Sequence, residues 1–159
     1  MTTFAYRAAV RWTRGADEFL HQRYSRGHSW HFDEGLTVPA SASPHAVRAP
    51  YAVAAAVDPE EALVAALSSC HMLFFLSLAS KAGWVVEHYE DAAEGVMTKN
   101  EQGRVAVTNV TLRPVVTIRS PHPSLEQFAA LHDNAHEECF IANSLRSEVI
   151  CEPKMVGVS

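Results

Sequence analysis

The stretch that decides the fold runs Asp58-Pro59-Glu60-Glu61-Ala62-Leu63-Val64-Ala65-Ala66-Leu67-Ser68-Ser69-Cys70-His71-Met72-Leu73-Phe74-Phe75-Leu76. Its opening is a helix start. Asp58 supplies a capping carboxylate, Pro59 suits the first helical position because an N–H is not needed there, and Glu61 stands where a capping-box acid reaches back. Lys81 falls in the last turn and Gly83 at the stop. In between, the segment is apolar almost all round, the pattern of a helix buried in a core. One turn breaks that pattern, Ser68-Ser69-Cys70-His71. A buried polar group costs roughly 1–3 kcal/mol unless it is paired. A polar turn there predicts a cleft, an interface or a satisfied network.

Working outward, Phe4, Tyr6, Ala8, Val10 and Trp12 alternate with Ala5, Arg7, Ala9 and Arg11, which predicts a strand with one apolar face. Thr13 to Tyr24 is polar and reads as a loop. Alternation resumes from Ser25 through Trp30 and Phe32, turns at Asp33-Glu34-Gly35, and returns through Leu36, Val38 and Ala40. This is an N-terminal β-meander of three strands. Residues 41–57, with Pro44 and Pro50 inside and Pro39 beside them, read as a surface connection. Beyond the helix, Val85 to Ile118 is strand-like, with a turn at Asn100-Glu101-Gln102-Gly103. A phase slip near Asn109 suggests a bulge, and Pro114 an edge or irregular position. Ser124-Leu125-Glu126-Gln127 is a second capping box, opening a helix toward Cys139, and Glu148 to Val156 reads as a last strand. The order strands, helix, strands, helix, strand is α+β.

Length and composition set the bounds. A chain of 159 residues, 48% hydrophobic and 19% charged, is expected to form a single domain spanning 1–159. A net charge of −5 and a pI near 6.0 argue against a broad nucleic-acid-binding surface. Three cysteines do not make a disulfide framework. The N-terminus carries no apolar block, and no run of about 18 uninterrupted apolar residues occurs. The expectation is a cytoplasmic protein that does not enter membranes and whose thiols are reduced at rest.

Cys70 and Cys139 place one thiol in each of the two helices, the minimum for an intramolecular redox pair; spacing alone does not say whether they meet. Cys151, on a strand, reads as plain core. His132, His136 and Cys139 fall at i, i+4 and i+7 on one helix face, and all three are transition-metal ligand types, so a metal site there is a rival reading. His28 and His31 point to opposite faces of their strand. Cys70 and His71 are adjacent, about 100° apart around a helix, which disfavours a nucleophile–base pair. Arg23 and Arg26 flank the second strand. A guanidinium beside a thiol lowers its pKa and raises the thiolate fraction. Cys70 needs such help, because about three turns from the helix N-terminus the dipole has faded. Glu61 is a capping acid, whereas Glu60 could orient an arginine through a charge-assisted bond.

At these residues the chain resembles the OsmC/Ohr superfamily of small thiol-dependent peroxidases. The carrying segments are Asp58-Pro59-Glu60-Glu61 through Ser69-Cys70, and Ala135-His136-Glu137-Glu138-Cys139 through Asn143-Ser144-Leu145. The resemblance covers nearly the whole chain. It implies an OsmC-like α+β fold in an intertwined homodimer. The long helices pack centrally, a second antiparallel sheet and a C-terminal helix follow, and the site lies at the dimer interface. It implies reduction of organic or lipid hydroperoxides, an antioxidant role in oxidative stress. By this resemblance Cys70 is the peroxidatic cysteine and Cys139 the resolving one, and Glu60 holds the catalytic arginine. Arg26-Gly27 matches the family's Arg-Gly context best, with Arg23 the runner-up. Cys70 is followed by His71-Met72, and Cys139 by Phe140-Ile141 in place of the family's more usual proline, which marks a divergent member.

The implied cycle needs a dithiol reductant and neither metal nor flavin. Met72, Phe74 or Phe75 would line an apolar approach. Ten helical residues span about 15 Å, so Glu60 and Cys70 of one chain do not touch through the helix, and the expectation is that a partner chain completes the site. Two other readings stay open: a non-catalytic OsmC-like dimer holding a small apolar ligand, and a metal-binding protein using His132, His136 and Cys139.

Overall fold

A computed structural model describes residues 3–159, which sort into two compact units, one up to Ala62 and one over Leu63–Ser159. The first unit holds the meander: β1 (Ala8–Arg11), β2 (His28–Phe32) and β3 (Thr37–Ala40), antiparallel in that order. Trp30 pairs with Val10 on one side and Val38 on the other, so the alternating apolar residues share one face. The β2–β3 hairpin closes where Gly35 adopts φ +86° and donates its N–H to the Phe32 carbonyl. β1 starts at Ala8, not Phe4, because Ala8 is already opposite Phe32, the last residue of β2, and no partner strand extends further. Within the polar loop, Trp12, Phe19 and Tyr24 form an aromatic cluster, and the Asp17 carboxylate accepts the Ser25 N–H. The connection at 41–57 is not wholly superficial. Ser41, Ser43 and Ala52 are buried, and the Ser41 hydroxyl accepts the Val53 N–H.

α1 (Pro59–Lys81) begins as its sequence dictates. Asp58 Oδ1 accepts the Glu61 N–H at 2.8 Å and Glu61 Oε2 takes the Asp58 N–H at 3.4 Å, the reciprocal capping box. It ends on Gly83 at φ +83°, with Trp84 N–H bonded to the Ala79 carbonyl and Gly83 N–H to that of Ser80, a Schellman closure. The helix is less buried than its composition predicts. Only the stripe Leu67, His71, Phe75 and Ala79 is buried, and Leu73 is 60% exposed. By length and composition α1 is also apolar enough to cross a bilayer, although polar residues interrupt it.

The second unit is built on three long ribbons, each broken in the middle. β4 (Val86–Asp91) runs into β5 (Glu94–Lys99), β6 (Val105–Leu112) into β7 (Pro114–Arg119), and β8 (Glu148–Cys151) into β9 (Lys154–Val158). Each ribbon contributes one half to each of two sheets, β4-β7-β9 and β5-β6-β8, so the first half of the β4–β5 ribbon joins the second halves of the other two. The hairpin pairs β4–β7 and β5–β6 are antiparallel; β8 and β9 add in parallel, because the chain returns through α2 (Leu125–Glu138) before laying them down. The register slips between Val96 and Met97, opposite Asn109 and Val107, which is the bulge the phase slip predicts. Pro114 sits on the middle strand, not at an edge, and is accommodated because it opens β7 at the break. There Arg113 donates its backbone N–H to Asp91 and its guanidinium to Glu94 and Glu152, tying the three ribbons at their kinks. α2 opens with the Ser124–Gln127 capping box and ends at Cys139. Phe75, Ala79, Val116, Ile118, Phe128, Leu131 and Ala135 form one core cluster. Leu67, Val110, Leu112 and Cys139 form the other.

Candidate functional site

Ser68, Cys70 and His71 of the polar turn of α1 engage residues of other elements, although His71 Nδ1 is buried with no partner among the described residues. Ser68 donates its hydroxyl to Asp91 Oδ2 at 2.5 Å. Cys70, half-buried on α1, packs against the cluster that holds Cys139, buried at the C-cap of α2, and neither is in a disulfide. His71 reaches His132. Only Ser69 faces outward. Adjacent side chains on α1 serve different partners, as their angular separation requires.

The two thiols differ in surroundings. Burial pushes the Cys139 thiol up, the Ala142 N–H at 3.4 Å from its sulfur opposes this, and the adjacent Cys70 adds to the rise. Burial therefore favours the protonated thiol at Cys139. The Cys139 backbone is held by its own C-cap bond to His136 and by the short 3-10 turn Ala142–Ser144 that follows. Phe74 packs edge-on to Phe140 at 5.0 Å, and Phe140 is 70% exposed, so an apolar rim stands next to the thiols. Phe75, expected with Phe74 on the approach, is instead fully buried and stacks on His132 at 4.2 Å.

Arg26 and Glu60 lie in the first unit. Arg26 donates to the carbonyls of Gln22 and Tyr24 and to Gln22 Oε1, and its guanidinium lies 3.7 Å above the Tyr24 ring. Arg23 is exposed and faces Glu18. Among the described residues no ion pair joins Arg26 to Glu60, and Glu60 Oε2 is buried with no hydrogen-bond partner. A buried carboxylate oxygen without a donor is costly, and it has the chemistry to receive a guanidinium.

The His132, His136 and Cys139 face does not converge on one point. His132 turns to His71, and Cys139 to Cys70. The group that does converge is His71, His132 and Cys151, whose ligand-type atoms lie within 4.8 Å of one another. Burial holds His71 down at about 4, helped by His136 and opposed by Asp91. Burial and then His71 hold His132 at about 3, and burial pushes Cys151 up to about 12. Sequence reading put Cys151 in the core. It alternates in phase with Val149 on the inward face of β8, but nothing local reveals that the face meets two histidines. Asp91 and Phe140 were likewise missed, since their partners come from other elements.

Comparison with known proteins gives a consistent picture. The family model described as OsmC-like protein matches residues 53–154. No curated protein matches the chain. An OsmC-like protein of unknown function from Vibrio cholerae, VCA0330, is 50% identical. The match covers 95% of this chain and 99% of that one, with a TM-score of 0.93. An organic hydroperoxide resistance protein from Elizabethkingia anophelis shares the fold at 16% identity and a TM-score of 0.67, with 99% of each chain covered. So does the organic hydroperoxide resistance protein OhrB of Bacillus subtilis, at 18% identity and a TM-score of 0.59, covering 96% of this chain and 98% of that one.

Proposed function

Because the chain belongs to the OsmC-like family, we propose that it is a thiol-dependent peroxidase reducing organic hydroperoxides. The observation that carries this reading is the proximity of Cys70 and Cys139 in one core cluster, two reduced thiols presented by two different helices. The Cys70 thiolate attacks the O–O bond, its sulfur becomes a sulfenic acid, and the other oxygen leaves as alkoxide and takes a proton to give the alcohol. The Cys139 thiol then condenses with the sulfenic acid, forming the disulfide and releasing water. A dithiol reduces that disulfide by exchange and becomes a disulfide itself. The apolar rim of Phe74 and Phe140 favours a substrate with a hydrocarbon tail over hydrogen peroxide. Arg26 stabilises the thiolate and the buried Glu60 carboxylate holds the arginine; a partner chain in a homodimer brings them together. The reading goes with a reducing, cytoplasmic setting.

Consumption of cumene hydroperoxide and of hydrogen peroxide, with a dithiol as reductant, tests this. The wild type turns over the organic peroxide faster. Cys70→Ser abolishes turnover. Cys139→Ser allows a single turnover that stops at the sulfenic acid. A folded wild type that consumes neither peroxide refutes the peroxidase reading and favours an OsmC-like dimer that binds an apolar ligand.

A further inference from the structure

The two helices that carry the thiol pair carry a second cluster which the proposed cycle does not use. His71 follows Cys70 on α1, and His132 lies seven residues before Cys139 on α2. They are 1% and 2% exposed. Their rings are within 8° of parallel with centroids 5.3 Å apart, and His71 Nε2 meets His132 Nδ1 at 3.0 Å. Cys151, the last residue of β8, sets its sulfur 3.8 Å from each of those nitrogens. Among the described residues the outer nitrogens, His71 Nδ1 and His132 Nε2, are buried with no partner, and so is the nearby Tyr89 hydroxyl. Buried polar atoms are normally paired. An apolar core would fill this space with less loss, and Phe75 and Phe128 already pack against His132.

We propose that His71 Nε2, His132 Nδ1 and Cys151 Sγ form a three-ligand site for a zinc-class divalent ion. The triangle of ligand atoms fits. Zinc–nitrogen bonds of about 2.0 Å and a zinc–sulfur bond of about 2.3 Å at tetrahedral angles put the nitrogens about 3.3 Å apart and each nitrogen about 3.5 Å from the sulfur. The observed separations of 3.0, 3.8 and 3.8 Å differ from these by a few tenths. Two imidazoles and a thiol select a borderline-soft ion and not calcium or magnesium, which take oxygen. Asp91 adds a negative charge felt by His71, Cys151 and Tyr89. Loading replaces the bond between the rings, which turn toward the sulfur. One imidazole moves its proton from the ligating nitrogen to the other, and the thiol proton goes to solvent, one per ion bound. Three protein ligands leave a fourth position open. The ion would clip α1, α2 and β8 together directly beside the Cys70–Cys139 pair.

The test uses the full chain without a histidine tag, stripped with chelator and titrated with cobalt(II). The expected result is one ion per chain, with thiolate-to-cobalt charge-transfer absorption that zinc abolishes and magnesium does not. Cys151→Ala loses that absorption and binds more weakly by more than the roughly 10–100-fold that a supporting contact costs. The Cys70→Ser/Cys139→Ser double variant keeps it. Thermal melting gives a second readout: zinc raises the midpoint of the wild type and not that of Cys151→Ala. Absorption that survives in Cys151→Ala but disappears in the double variant overturns the assignment, as does a folded wild type that binds neither cobalt nor zinc. None of these readouts depends on peroxidase activity.

Discussion

His71 and His132 share one short nitrogen contact deep in the second unit, and burial sets their charge. His71 is held at about 4 and His132 at about 3, whereas an unfolded histidine titrates near 6.5. Between those values the unfolded chain binds protons that the folded chain refuses. Stability is therefore full above pH 6.5 and is lost as pH falls from 6.5 toward 4 and then 3. Each histidine contributes a slope of up to about 1.4 kcal/mol per pH unit. His136 faces His71 and steepens this; Asp91 opposes it. Urea unfolding in the presence of chelator, stepped from about pH 7.5 to 5, should show the fall. His132→Asn, whose amide nitrogen stands in for Nδ1, should roughly halve the slope. A flat profile would mean that the pair takes up protons in place. The pair was illegible in the sequence because its members are far apart along the chain, His132 61 residues from His71 and Cys151 80 residues from it. Cys70 was legible as a candidate, since a polar turn in an apolar helix is a local anomaly. That it packs near Cys139 is a tertiary fact.

At the scale of elements, α1 approaches β5 closely at Gly95. A Cβ built there would lie 2.6 Å from Val64 Cγ2 and 3.4 Å from Val107 Cγ1. Gly95→Ala should therefore push the helix off the sheet and cost about 1–3 kcal/mol in urea unfolding. Val64→Ala in the same chain should recover part of that loss, although alone it destabilises by removing half-buried methyls. Purely additive losses would show that β5 yields instead of the helix. The elements that could be read in advance were those with local signals. Both helix starts are capping boxes within four residues, and the meander turns on Gly35, whose φ of +86° is the left-handed conformation that glycine supplies. The ribbon kinks had no such signal. Arg113 looks like a surface arginine until Glu94 and Glu152 arrive from two other ribbons. The alternation of Val110, Leu112, Pro114, Val116 and Ile118 also runs in phase straight through the break. The near-uniform apolarity of α1 misled in one respect, since it predicts burial all round and one chain buries a single stripe.

The whole molecule explains that discrepancy if a second copy covers the rest. Leu73 on α1 and Phe140 beyond α2 are 60% and 70% exposed, next to the thiols on both sides. Every residue of β1, the edge of its sheet, is exposed as well. Large apolar side chains in such positions mark an interface. Light scattering should find a homodimer, and Leu73→Glu should yield monomer with lost peroxidase turnover. The dimer carries a sharper consequence. Arg26 spends donors on Gln22 and Tyr24, and Glu60 Oε2 has no donor among the described residues. If the arginine of one chain serves the thiol of the other, Cys70→Ser and Arg26→Ala are each inactive alone but complement when mixed. Random exchange makes half the dimers mixed, and each mixed dimer has one site with both its cysteine and its arginine. The mixture should then recover about a quarter of the wild-type rate. If arginine and thiol act within one chain, every site in a mixed dimer lacks one of them, and the mixture stays as inactive as its parents. Mass spectrometry of the intact mixed dimers confirms that exchange has occurred, so an inactive mixture counts against the shared site.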